Sequence, residues 1–155
     1  MKTLAFHSAL YRDSRYLVIA HTEAAPAVEE WNGYLAAVGE AVSVEGPTVY
    51  AFVVTDGGGP SSTQRKEIAE VFSGGAAQAS THVFTTSAFV RGIVTAFHWM
   101  NWSPTEAHNP SNFPTVCVRC GFPPLVVLSE FERLQEQLPP VAVLRKITLA
   151  AREFR

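Results

Sequence analysis

The sequence predicts an α/β domain in which a mixed central β-sheet of about four to five strands is covered by helices. Its 155 residues fit one domain, 1–155, and 47% apolar against 17% charged residues is enough to build a core. Short apolar, β-branched segments alternate with amphipathic helical segments, and clusters of glycine and proline separate them. Strands that alternate with helices in this way predict a sheet with helices packed on it.

Residues 3–10 and 16–22 are predicted as two strands joined by a polar turn. The second strand has apolar side chains at both alternating sets of positions, so we expect both of its faces to be covered. A helix follows, and Pro26 suits its first turn. Apolar residues then recur at spacings of three and four, which predicts one buried stripe. The stripe consists of Val28, Trp31, Leu35, Val38 and Val42.

The segment 48–55, TVYAFVVT, is nearly all apolar and predicts a central strand buried on both faces, as in a parallel sheet. The turn 56–60, DGGGP, ends it. A second helix is predicted from Ser61, because Ser61 and Gln64 have the spacing of a capping box. Its inner face should contain Ile68, Val71 and Phe72.

Residues 81–86 are predicted as another buried strand, and Ser87 as the cap of a third helix that runs from 88 to about 102. This helix is apolar nearly all round, so we expect it to be buried or covered by a partner. Residues 103–114 are predicted as a polar loop. The alternation in 115–121, TVCVRCG, favours a further strand.

Two helices, 125–138 and 141–154, are predicted to close the chain as a helical extension over about 125–155. The proline pair at 139–140 separates them. Their expected inner faces consist of Leu128, Phe131, Leu134, Leu138, Leu144, Ile147, Ala151 and Phe154.

Charge and composition exclude several classes of protein. The net charge is −2, with 12 basic and 14 acidic residues and no basic stripe, so we do not expect nucleic-acid binding. Charged residues follow too soon after the N-terminus for a signal peptide, and no apolar run is long enough to predict a transmembrane segment. Two cysteines do not make a disulfide framework. Cytoplasmic localisation and no cofactor are the default expectations.

The glycine-rich turn within 55–62, TDGGGPSS, is the first candidate site. It leaves a buried strand and opens a helix, where backbone N–H groups can hold an anion. It has neither the lysine of a nucleotide P-loop nor the spaced glycines of a dinucleotide fingerprint. The turn is therefore interpreted either as a tight strand-to-helix connection or as an anion or ligand site.

Cys117 and Cys120 form a C-x-x-C pair, the second candidate. In a strand, residues three apart point to opposite faces, so one thiol would be in the core and the other half-exposed. The alternative is a redox or metal pair, to which His98 and His108 are the further ligand candidates. Because no second ligand pair accompanies the cysteines, no metal site is predicted.

No catalytic constellation is visible among the histidines, which show neither a metal-ligand spacing nor an accompanying nucleophile elbow. His21 and His82 lie near predicted strand ends, where open α/β sheets place ligand sites. The full set is His7, His21, His82, His98 and His108.

Residues 48–102, including TVYAFVVTDGGGPSSTQRKEIAEVFSG and THVFTTSAFVRGIVTAFHWM, resemble STAS-like domains, the SpoIIAA-like antagonists of anti-sigma factors. The resemblance covers about the first two-thirds of the chain. It implies a non-enzymatic regulatory or ligand-binding module whose partner-facing surface is the turn after the central strand. Asp56 would match the acidic residue that ends this strand, and Ser61 or Ser62 the phosphorylatable position. Three glycines and a proline lie between them, which departs from the family pattern.

The leading hypothesis is a regulatory protein–protein interaction module that is not an enzyme and whose apolar third helix packs against either a protein partner or a second copy in a homo-oligomer. The alternative is a small ligand-binding protein or small enzyme that uses the turn 56–62, with Asp56, His82 or Cys117 converging at the strand ends. Partner or ligand contacts are expected at Asp56, Gly57, Gly58, Ser61, Ser62, Arg65, Arg91, Trp99 and Trp102.

Overall fold

A computed structural model describes residues 2–99 and 104–154, with side chains described up to residue 96 and again from residue 104. The elements of these residues are β1 (Leu4–Tyr11), β2 (Ser14–His21), α1 (Val28–Val42), β3 (Val49–Thr55), α2 (Ser62–Ser73), β4 (Ala79–Phe84), α3 (Ala88–Trp99), β5 (Thr105–His108), a 3-10 turn (Pro110–Asn112), α4 (Phe113–Arg119), α5 (Pro124–Gln135) and α6 (Ala142–Glu153). None of these helices is long and apolar enough to cross a membrane.

The strands form one mixed sheet in the order β1-β2-β3-β4-β5. β1 is antiparallel to β2, and each later pair is parallel. Each parallel connection leads to the neighbouring strand, so right-handed crossovers place their helices on the same face of the sheet. The predicted mixed α/β sheet covered by helices is confirmed.

Two cores lie on opposite faces of the sheet. Leu17 and Ile19 of β2 pack with residues of α1, α2 and α3, whereas Val18 and Ala20 pack with residues of α4, α5 and α6. The alternation of side chains along each strand creates this division. The C-terminal helices thus form the second outer layer, and the predicted extension covers a whole face of the sheet.

The prediction for 103–121 was wrong in two places. The fifth strand lies at Thr105–His108, inside the predicted loop, and the predicted strand 115–121 is the helix α4. Phe113, Val116 and Cys117 are buried together, which is the spacing of a helix and overrides the apparent alternation. Asn109 starts this segment by accepting a hydrogen bond from the backbone of Ser111.

Smaller differences concern helix ends. Val28 is exposed because it is the first residue of α1, and Phe154 is exposed because it follows the end of α6. The other residues of the predicted inner faces of α1 and α6 are buried or half-buried. The capping box is confirmed, since Ser61 Oγ accepts from the backbone N–H of Gln64 and Gln64 Oε1 accepts from that of Ser61. The predicted end of the third helix near 102 lies outside the described residues.

Candidate functional site

The turn that follows β3 is held by contacts within the domain. The carboxylate of Asp56 accepts hydrogen bonds from the backbone N–H groups of Ala142, at 2.6 Å, and Val143, at 2.8 Å. It therefore caps the N-terminus of α6, where the helix dipole favours a negative charge. Partner binding by Asp56 stays a prediction, but its carboxylate has a defined intramolecular role.

The glycines of this turn use their amides internally. Gly57 N–H donates to Thr55 Oγ1 at 3.1 Å, and Gly58 N–H donates to the carbonyl of Thr22 at 2.9 Å. Thr55 Oγ1 in turn donates to the carbonyl of Gly58 at 2.6 Å. These two amides are therefore not directed at an anion, and the turn acts as a fixed wall.

An apolar cavity of about 100 Å³ lies beneath this wall, between the sheet and the helices α1, α2 and α3. The carboxyl ends of β2 and β3 contribute His21 and Thr55 to its lining, at the edge where open parallel sheets bind ligands. Its apolar walls include Val53, Ile68, Ala69, Val83, Val90 and Val94.

Three polar atoms of the cavity lining have no hydrogen-bond partner within the described part of the chain: His21 Nδ1, Trp31 Nε1 and Thr81 Oγ1. Their residues are 5%, 2% and 8% exposed. An unsatisfied buried polar group costs roughly 1–3 kcal/mol, so such groups are rare unless something else satisfies them. Three residues that line one cavity each carry such a group.

The described residues that line the cavity carry no charge at neutral pH. Burial lowers the pKa of His21 to about 4, so its imidazole is uncharged at neutral pH. Burial also raises the pKa of Tyr34, which keeps that phenol protonated. No Asp, Glu, Lys or Arg stands among the described lining residues. An ionised ligand would find no opposite charge here.

A second cluster of polar groups lies on the opposite face of the sheet. His82 of β4 is paired in register with Glu106 of β5, and His108 follows two residues later on the same side. His82 Nδ1 lies 3.0 Å from His108 Nε2, and Cys120 Sγ lies 3.5 Å from His82 Nε2. Among the described residues, His82, Glu106 and His108 have ligand atoms close enough together to hold a metal ion.

The two cysteines lack the environment of a redox pair. Cys117 is buried in α4 and Cys120 is half-buried just after this helix. Burial raises the pKa of both thiols, whereas reactive cysteines have a lowered pKa. The helix, absent from the sequence prediction, is what brings Cys120 to His82.

The remaining predicted site residues do not converge with these groups. Ser61, Ser62 and Arg65 lie at the start of α2, where Arg65 donates to the carbonyl of Pro60, and Arg91 is exposed on α3. None of the three residues that the sequence hypothesis placed in one pocket, Asp56, His82 and Cys117, is among the residues that line the cavity. The side chains of His98, Trp99 and Trp102 lie outside the described residues.

No family model matches the chain, and no curated protein matches it. A crystal structure of an uncharacterized protein of the DUF3478 family from Shewanella loihica PV-4, described as having a SpoIIAA-like fold, is similar to it. The two chains are 11% identical, with a TM-score of 0.49, over 70% of this chain and 87% of the other. The function has to be derived from the residues of this chain.

Proposed function

We propose that this protein is a small-molecule-binding domain whose ligand occupies the cavity between the sheet and the helices α1, α2 and α3. The observation that carries the proposal is the set of three unpartnered polar atoms, on His21, Trp31 and Thr81, around one apolar cavity. Small-molecule sites combine apolar walls with a few convergent polar groups in this way.

The lining defines the class of ligand. The indole N–H of Trp31 can only donate, so the ligand carries an acceptor such as a hydroxyl or carbonyl oxygen. Thr81 and neutral His21 can each donate or accept. Because the described lining is uncharged, the ligand is neutral. A volume of about 100 Å³, against roughly 150 Å³ for an apolar cavity that binds benzene, suits a small aromatic or short aliphatic molecule.

A thermal-shift screen tests this function. Neutral probes (phenol and 1-butanol) are expected to raise the melting temperature, because a ligand that binds the folded state alone stabilises it. The ionised probes benzoate and inorganic phosphate are expected to have no effect. Stabilisation by benzoate or phosphate but by none of the neutral probes would contradict the proposal.

A matched pair of variants locates the binding. Ala69 lies in the cavity lining, and Ala36 is exposed on α1. Ala69→Leu should fill part of the cavity and abolish the shift given by phenol, whereas Ala36→Leu should leave it intact. Equal shifts in both variants would place the probe elsewhere on the protein.

A protein-interaction role, the leading hypothesis from the sequence, stays a prediction. Its support is the exposure of Phe89, 73%, near the start of α3, with Arg91 exposed two residues later. Affinity capture from the native host with wild type, Phe89→Ser and Ser62→Glu tests it. The hypothesis expects both variants to lose partners, and identical partner sets would contradict it.

A further inference from the structure

The strands β4 and β5 bring three side chains of metal-binding type to one point. His82 Nδ1 lies 3.0 Å from His108 Nε2 and 3.8 Å from Glu106 Oε2, and the last two atoms are 3.5 Å apart. Three atoms at these separations share a centre about 2.0 Å from each, which is the bond length from Zn²⁺ to a histidine nitrogen or a carboxylate oxygen.

We propose that His82, Glu106 and His108 bind one divalent transition-metal ion of the Zn²⁺ class. Two imidazoles and a carboxylate are a ligand set that zinc accepts, and three protein ligands leave a fourth position for water or a bound molecule. This site is independent of the proposed cavity. Thr81 and Thr105 face the cavity, whereas His82 and Glu106, the next residue on each strand, face the layer of α4, α5 and α6.

The groups around His82 are compatible with the tautomer that such a site needs. Ser80 Oγ lies 3.3 Å and Cys120 Sγ 3.5 Å from His82 Nε2. With the proton on Nε2 directed at these acceptors, the lone pair of Nδ1 points toward Glu106 and His108. In metal sites, hydrogen-bond partners of the ring nitrogen that does not bind the ion fix the tautomer and orientation of a ligating histidine.

Packing also holds the imidazoles in place. The ring of His82 stacks on Phe52 and on Tyr50, and that of His108 stacks on Phe84. Rings held in this way lose little freedom when they bind an ion, which favours affinity.

The positive charge of Arg119 opposes the binding of a metal ion at this site. Its Nη2 lies 2.9 Å from Glu106 Oε2, the oxygen that faces the two histidines. Both side chains are more than half exposed, at 58% and 55%, so this ion pair is weak and the arginine can withdraw into solvent. Removal of the Arg119 charge should therefore strengthen metal binding. If the cluster does not bind metal, this substitution should have no such effect.

The test is a zinc titration of the full chain against a chromophoric chelator, with the visible spectrum of added Co²⁺ as a second readout. We expect one ion per chain. His108→Gln and Glu106→Gln should weaken binding at least tenfold, and Arg119→Gln should strengthen it. Glu106→Gln keeps the test decisive even where His108→Gln fails to fold, because Glu106 is exposed.

His7 provides the matched control. It also faces a carboxylate, with His7 Nε2 3.3 Å from Glu130 Oε2, but it lies toward the opposite edge of the sheet, on the edge strand β1. His7→Gln should leave zinc affinity unchanged. The absence of stoichiometric binding, or equal losses in His7→Gln and Glu106→Gln, overturns the proposal.

Discussion

The carboxylate of Asp56 accepts a hydrogen bond from the backbone N–H of Val143 across 87 positions of sequence. This contact joins the end of β3 to the first turn of α6, and so joins the central strand to the layer on the second face. We expect Asp56→Ala to lower the free energy of unfolding by about 1–2 kcal/mol, as the loss of a helix cap does. Urea unfolding measures this, and a smaller loss in Asp56→Asn, which keeps one acceptor, is the control.

Gly58 is required by its surroundings. A Cβ at this position would collide with the carbonyl oxygens of Thr22 and Ala24, whereas a Cβ on Gly59 meets nothing within 4 Å. Gly58→Ala should therefore destabilise the protein by about 3 kcal/mol or more, since backbone has to move. Gly59→Ala should change stability by less than about 0.5 kcal/mol. Similar melting temperatures for the two variants would show that the turn is not packed as described.

The pH dependence of stability should reflect the buried histidines. His21 has a pKa of about 4 in the folded protein and an ordinary value near 6.5 when unfolded. Between these values the unfolded chain binds more protons, so stability is lost as pH falls from about 6.5 toward 4, by roughly 3 kcal/mol at most. Titration of the histidine ring signals by NMR checks this, and a His21 signal that titrates near 6.5 would contradict it.

The first two-thirds of the fold could be predicted from the sequence because strand and helix patterns there are local. The segment 48–55 is nearly all apolar and rich in β-branched residues, which predicts a buried strand, and the Ser61–Gln64 capping box predicts a helix start by itself. The segment 103–121 could not be predicted, because the four-residue strand β5 is too short to show a pattern. Its helix α4 also alternates apolar residues as a strand would.

The candidate sites depend on those long-range contacts and were largely missed. Thr81 and His82 are polar residues inside a buried strand, which is the signal that could have identified them. The side chain of Thr81 faces the cavity, whereas that of His82 faces the histidine cluster on the other side of the sheet. No spacing in the sequence shows this division. Glu106 joins His82 only through the register of β5, and Trp31 meets the cavity only through the packing of α1.

Thr81 and Thr85 provide a matched test of the unpaired hydroxyl. Thr85 Oγ1 donates to the carbonyl of Thr55 and accepts from the N–H of Ser87, both at 3.0 Å, whereas Thr81 Oγ1 has no partner in the described chain. Thr81→Val should raise the free energy of unfolding by about 1 kcal/mol, and Thr85→Val should lower it by about 1–3 kcal/mol. Chemical unfolding without ligand measures both. A loss in Thr81→Val would mean that the hydroxyl is already satisfied.

The indole N–H of Trp31 gives the most direct measurement of ligand binding in the cavity. Its proton resonance can be assigned with Trp31→Phe and followed by NMR while phenol is added. A ligand oxygen that accepts from Trp31 Nε1 should shift this resonance downfield in a saturable way, and Ala69→Leu should abolish the shift. A resonance that stays in place at phenol concentrations that raise the melting temperature would contradict the proposed binding site.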